Sequence, residues 1–147
     1  MKLSTKGRYA MRAMLDLAAH YGEGPVLLKD VAARQEISQR YLEHLFLSLK
    51  AAGLVNSARG ANGGFSLAKH PGEIRLMDVM AVSEGPMSLT ECVDDPGVCR
   101  RSSRCATRDI WLELKQALEG VLGGVTLQDM LMRQRSKEAQ SADLYSI

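Results

Sequence analysis

ISQRYLEHLFLSLKAAGLVNSARGANGGFSLAK, residues 37–69, changes its hydrophobic rhythm at Gly53. Before that glycine, Leu42, Leu45, Leu49 and Ala52 recur at helical spacing, which predicts a helix from Gln39 to Ala52 with one buried face. Ile37 and Ser38 make a tight connection into it, with Ser38 as the N-cap. Gly53 stands where a helix-ending glycine belongs. Beyond it, LVNSA (54–58) and GFSLAK (64–69) read as short strands around the loop RGANG. Asn62-Gly63 is a hairpin signal, because a tight turn there needs positive φ.

The flanking chain extends this order. Residues 3–21 form a predicted helix with Tyr9, Met11, Ala13, Met14, Leu17, Ala18 and Tyr21 on a broad apolar face, ended by Gly22, Gly24 and Pro25. Val26-Leu27-Leu28 is a short apolar step before a second helix at 29–36. After the hairpin, a fourth helix is expected from Arg75 to Glu84. A long helix then begins near Cys105, with Ile110, Leu114, Ala117, Leu118, Val121 and Leu122 on one stripe, and stops at Gly123-Gly124. Thr126 and Asp129 are spaced as a capping box for a last short helix, and the polar tail from Ser136 is expected to be mobile.

Helix, helix, tight turn, helix and hairpin is the order of a winged helix-turn-helix. The fold class is therefore mainly α with one small β-hairpin, followed by a long helix. Four parts follow: residues 1–80 as the winged unit, 81–104 as a cysteine-containing loop, 105–135 as the long and final helices, and 136–147 as the tail. Composition agrees with a chain that buries a core: 46% of its residues are hydrophobic and 24% charged. No apolar run suits a membrane span and no signal peptide is evident, so a cytoplasmic protein with reduced thiols and no membrane partner is expected.

Charge is unevenly spread. Residues 1–80 hold eleven Lys/Arg against seven Asp/Glu, and the remainder eight against ten, so the winged half is basic. A basic half suits a polyanion. The third helix turns Gln39, Arg40, Glu43 and Lys50 outward, side chains able to reach base edges or phosphates in a major groove. Arg59 and Lys69 flank the hairpin, where they would meet the backbone or minor groove. Taken singly, each feature has a plainer explanation: a solvated helix face, or an ordinary hairpin. RGANGG lacks the Lys-Ser/Thr that would make it a nucleotide cradle. The ordered set favours DNA. No Ser/His/Asp set converges, so no enzyme is expected.

MKLSTKGRYAMRAMLDLA, ISQRYLEHLFLSLKAAGLV and RGANGGFSLAK closely resemble the Rrf-two family of bacterial regulators, and the resemblance runs from residue 1 to about 133. It implies a homodimeric transcriptional regulator, expected to be a repressor, whose long helix crosses its partner and sets two winged units on a palindromic double-stranded operator. By the same resemblance the DNA contacts fall on Ser38, Gln39, Arg40, Tyr41, Glu43, Arg59 and Gly60.

Cys92, Cys99 and Cys105 are all the cysteines in the chain, separated by six and five residues. Such gaps are too wide for a zinc knuckle and long enough to wrap a cluster. Arg100, Arg101, Arg104 and Arg108 can offset thiolate charge, and Cys105 lies near a helix N-terminus. Inert thiols and a zinc site are the alternatives from the residues alone. Within the family, three cysteines here resemble the ligand set of its iron–sulfur branches, which implies an iron–sulfur cluster, 2Fe-2S or else 4Fe-4S, sensing iron, redox or nitric oxide status. A cysteine-metabolism branch shares the DNA-binding half and lacks the set. Outside this class, a small iron–sulfur redox protein would not need the DNA-facing residues.

Two departures stand out. The first gap is six residues where the iron–sulfur-assembly branch commonly has five. The fourth ligand is also displaced: Arg108 stands where that branch has histidine, and Arg8 where the nitric-oxide-sensing branch has an acid. Asp109, four residues beyond Cys105, is the best local carboxylate; Glu91, Asp94, Asp95, an exogenous thiol or water are the others.

Overall fold

The computed structural model describes residues 2–146; the expected limits at Met1 and Ile147 lie outside the described residues. The chain runs α1 (Thr5–Ala19), α2 (Leu28–Gln35), α3 (Gln39–Ala51), β1 (Val55–Ala58), β2 (Gly64–Leu67), α4 (Leu76–Glu84), α5 (Glu91–Asp94), α6 (Ala106–Gly124) and α7 (Leu127–Tyr145). Single 3₁₀ turns lie at Pro71–Glu73, Pro96–Val98 and Ser102–Arg104. The winged helix-turn-helix and the long helix are both present. No helix among the described residues is long and apolar enough to cross a membrane.

Both ends of α3 are closed as its sequence requires. The Ser38 hydroxyl accepts the Tyr41 amide at 3.1 Å. At the other end Gly53 adopts φ +76°, and the amides of Gly53 and Leu54 return to the carbonyls of Lys50 and Leu49 at 3.0 Å each. That is a Schellman close, with the buried Leu54 as its apolar contact.

The wing differs in detail from the expected turn. β1 and β2 pair antiparallel, Val55 with Leu67 through Ala58 with Gly64. Positive φ falls on Gly60 and Gly64, and on neither Asn62 nor Gly63. Instead, the Gly63 amide donates to the Gly60 carbonyl at 3.0 Å, closing a turn over Ala61 and Asn62 within a five-residue loop. Gly64 is required by closeness as well as by φ, since a Cβ there would lie 2.2 Å from the Val26 carbonyl oxygen. Val26 makes two backbone hydrogen bonds with Phe65, at 2.7 and 2.8 Å, so the apolar step before α2 becomes a third, one-residue strand. That edge steadies a hairpin that would be marginal as two strands.

The core is continuous. Ala10, Ala13, Met14, Leu17 and Ala18 of α1 pack with Val31, Ala32, Leu42, Leu45, Phe46, Leu49, Val55, Leu67 and Val79. Phe46 is fully buried and its ring centroid lies 4.7 Å from that of Phe65, which ties the wing to α3. The Arg75–Thr126 bridge and the capping box of Thr126 and Asp129 join α7 to the winged unit. Contrary to the expected short helix and tail, α7 continues past Ser136 to Tyr145. Polar residues there are mostly good helix formers with no glycine or proline to stop them.

Candidate nucleic-acid interface and cysteine loop

Ser38, Gln39, Arg40 and Glu43 are all exposed on the N-terminal half of α3, and Arg59 and Gly60 are exposed in the wing loop. One cleft, lined by Gln39, Ser57, Arg59, Lys29 and Phe65, joins the α3 N-terminus to the wing. The ion pairs among the described residues, at Asp16, Asp94 and Glu119, use none of the expected DNA-facing side chains. Tyr41 is different: it is half-buried, with its ring edge-on to Tyr9 at 5.4 Å, so it also anchors α3 to α1. Lys50 donates to the Ser57 hydroxyl at 2.6 Å, bracing the far end of α3 against β1.

A network that sequence reading missed lies behind this surface. Asp16 of α1 is buried, with its side chain 3% exposed. Arg34 grips it with two bonds, Nε to Oδ2 at 3.0 Å and Nη2 to Oδ1 at 2.8 Å, and Gln35 Nε2 adds a third at 3.0 Å. Burial alone would raise the Asp16 carboxyl, but the bonds from Arg34 and Gln35 hold it below the usual carboxylate range. Arg12 of α1 donates to the Gln35 carbonyl, and its Nε lies 3.4 Å from Gln35 Oε1. An acid among the apolar positions Ala13, Met14 and Leu17 was the available signal.

The cysteine loop is built of short pieces. Cys92 lies in α5, Cys99 follows the Pro96–Val98 turn, and Cys105 is the residue before α6; all three are half-buried free thiols. Cys92 Sγ lies 3.2 Å from Thr90 Oγ1 and Cys105 Sγ 3.1 Å from Thr107 Oγ1. The Thr107 hydroxyl, then the Arg108 amide and, at longer range, Arg101 draw the Cys105 thiol below its usual range. Among the described residues, no group of three or more His, Cys, Asp and Glu side chains is gathered closely enough to hold a metal ion. The donor chemistry nonetheless fits a cluster: three free thiols, one disposed to ionise, beside several arginines.

The carboxylates sort themselves by what they already hold. Asp94 accepts from Lys115 at 2.6 Å and from Ser88, and Asp95 accepts the Gly97 amide at 2.9 Å. Asp109 is exposed in the first turn of α6, one turn beyond Cys105. Arg108 is a tether, its Nε donating to the Cys92 carbonyl at 2.8 Å.

Beyond the loop, α6 has no buried residue: Ile110, Trp111, Leu114, Leu118 and Val121 are 36–64% exposed. A family model described as an iron-dependent transcriptional regulator, Rrf2, matches residues 3–133. The chain belongs to the Rrf2 family. It is 42% identical over 132 residues to the transcriptional regulator IscR of Aliivibrio salmonicida, covering 90% of this chain and 78% of that one. Among solved Rrf2 structures, CymR, the global cysteine regulator of B. subtilis, superposes with a TM-score of 0.78 at 40% identity, over 90% of this chain and 98% of CymR. IscR of T. potens superposes with a TM-score of 0.76 at 43% identity, over 95% and 91%. As an Rrf2 protein with a winged helix-turn-helix, the chain is a DNA-binding transcriptional regulator.

Proposed function

We propose that this regulator is a homodimeric, cytoplasmic repressor whose affinity for a palindromic operator is set by an iron–sulfur cluster. The single observation that carries this reading is the junction at Cys105. A loop holding three free thiols runs directly into a helix whose apolar face is bare. A second copy would cover Ile110, Leu114, Leu118 and Val121, and the loop would then report to the dimer interface. Cys92, Cys99 and Cys105 would hold the cluster, 2Fe-2S in the first instance and 4Fe-4S as the alternative, with Asp109 as fourth ligand. When bound, the cluster supplies a redox- and ligand-sensitive charge at the start of α6. The chain's own part is to select DNA: Gln39, Arg40 and Glu43 enter the major groove, Ser38 and Tyr41 sit at the groove edge, and Arg59 with Gly60 meets the backbone or minor groove. The switch works only if the two loop states favour different DNA-binding geometries.

A second reading, a cluster-free regulator of cysteine metabolism, is favoured by the likeness to CymR. One experiment separates them. Protein purified without oxygen should carry iron and sulfide, and Cys92→Ala, Cys99→Ala and Cys105→Ala should each strip most of the iron and change operator affinity. Asp109→Ala should alter the visible spectrum while Asp94→Ala leaves it unchanged. Wild-type protein that holds no iron after anaerobic reconstitution, yet still binds its operator, selects the second reading.

A further inference from the structure

The Asp16 network raises a question that packing does not answer. Burying the Asp16 carboxylate carries a desolvation cost that offsets much of its attraction to Arg34, whose side chain is 40% exposed, and apolar residues of similar size usually serve as well. What the network does have is direction. Beside a looser approach of His20 at 3.8 Å, its side-chain hydrogen bonds all end on the last two residues of α2. Asp16 takes the fork of Arg34 and the amide of Gln35, while Arg12 holds the Gln35 backbone carbonyl. The next residue, Glu36, is the one non-glycine position with positive φ among the described residues, at +54°. Ile37 then plunges into the core and Ser38 opens α3. Three residues thus separate the clamp from the reading helix, and one of them has a backbone conformation that L side chains avoid.

We propose that Asp16 is a positioning residue for DNA reading: clamping Arg34 and Gln35, it fixes the α2–α3 turn and hence the angle at which α3 presents Gln39, Arg40 and Glu43. Apolar contacts between α1 and α2 are non-directional and would tolerate a small rotation of the turn. A two-toothed carboxylate–guanidinium contact does not, since both bonds must stay in one plane. Because α3 reads bases from its N-terminal end, a small tilt there moves side chains off their base edges while phosphate contacts adapt. The clamp therefore acts on selectivity rather than on overall DNA affinity. This rests on α3 lying in the major groove, as proposed above.

The test uses the full-length protein and a duplex that wild-type protein selects from a random-sequence pool, compared with a scrambled duplex of equal length. The double variant Asp16→Leu/Arg34→Met removes both charges and keeps the volume. Its denaturant midpoint should stay near wild type, and its affinity for the scrambled duplex and its salt slope should be unchanged. Its preference for the selected duplex should fall at least tenfold. Arg34→Lys keeps the charge and loses the fork, and should lower the preference several-fold; it decides the matter alone if the double variant does not fold. Wild-type selectivity in Arg34→Lys and in a folded double variant overturns the proposal. Arg40→Ala and Glu43→Ala are read alongside. If neither changes the selected sequence, the groove placement of α3 has failed and takes the proposal with it. If they do change it and the Asp16 and Arg34 variants do not, this inference alone is wrong.

Discussion

Helices α3 and α6 carry apolar stripes of similar make, and the chain treats them oppositely. In α3, Leu42, Leu45, Phe46 and Leu49 are no more than 2% exposed, whereas in α6 not one residue is buried and Val121 is 64% exposed. The cover for α3 comes from the same chain, from α2, β1 and α4. For α6, α4 and α5 touch one side and Leu122 packs on the core, but nothing among the described residues covers Ile110, Leu114, Leu118 and Val121. An amphipathic pattern states that a face will be covered; it does not state by what. The winged unit, the head of the molecule, is thus a finished core, and α6 presents an apolar face that the proposed dimer would cover.

This contrast can be broken in three places. The largest effect is expected at Phe46, the biggest fully buried side chain. Phe46→Ala should lower unfolding free energy by about 3–5 kcal/mol, measured by urea denaturation, because it leaves a cavity beside Phe65 in the core. Next comes the bare stripe. Leu114→Glu should leave the head's circular dichroism and protease resistance intact while raising the dimer dissociation constant at least tenfold in sedimentation. A monomeric wild type would sink the contrast, since α6 would then be complete as it stands.

The smallest effect is acid. The Asp16 carboxyl lies below the usual carboxylate range when folded, so the unfolded chain binds its proton more tightly. Its stabilisation is present above that range and is lost as pH falls through the folded value. The gap in denaturant midpoint between wild type and Asp16→Asn should therefore close as pH is lowered from neutral through the carboxylate range. Asp94 is shifted the same way by Lys115, but at the surface, where solvent and salt screen the pair. Asp94→Asn should show no comparable gap at any pH.

The residues differ in how far ahead they could be read. Local rules were enough for the helix-turn-helix: the stripe of α3, the Ser38 cap, Gly53 and the capping box at Thr126 each act within a few positions of themselves. The same holds for the exposure of Gln39, Arg40, Glu43 and Arg59, since a helix whose apolar face is committed has nowhere else to put its polar ones. The turn at Asn62-Gly63 misled because the five-residue loop and the close pass of Val26 moved the positive φ to Gly60 and Gly64. The polar composition after Ser136 predicts a tail, whereas helix propensity and the cap at Thr126 carry α7 on to Tyr145.

What the amino-acid sequence determined by itself is the order of the principal helices and the hairpin, because caps and hydrophobic period are interactions between near neighbours. Three things were decided only in three dimensions. Val26 became a strand by meeting Phe65, Asp16 became a clamp by meeting Arg34, and Asp94 was taken by Lys115 while Asp109 was left exposed. Each joins residues 18 to 39 positions apart. The choice of partner at such distances follows from how the helices pack, and packing is a property of the whole chain rather than of any stretch of it.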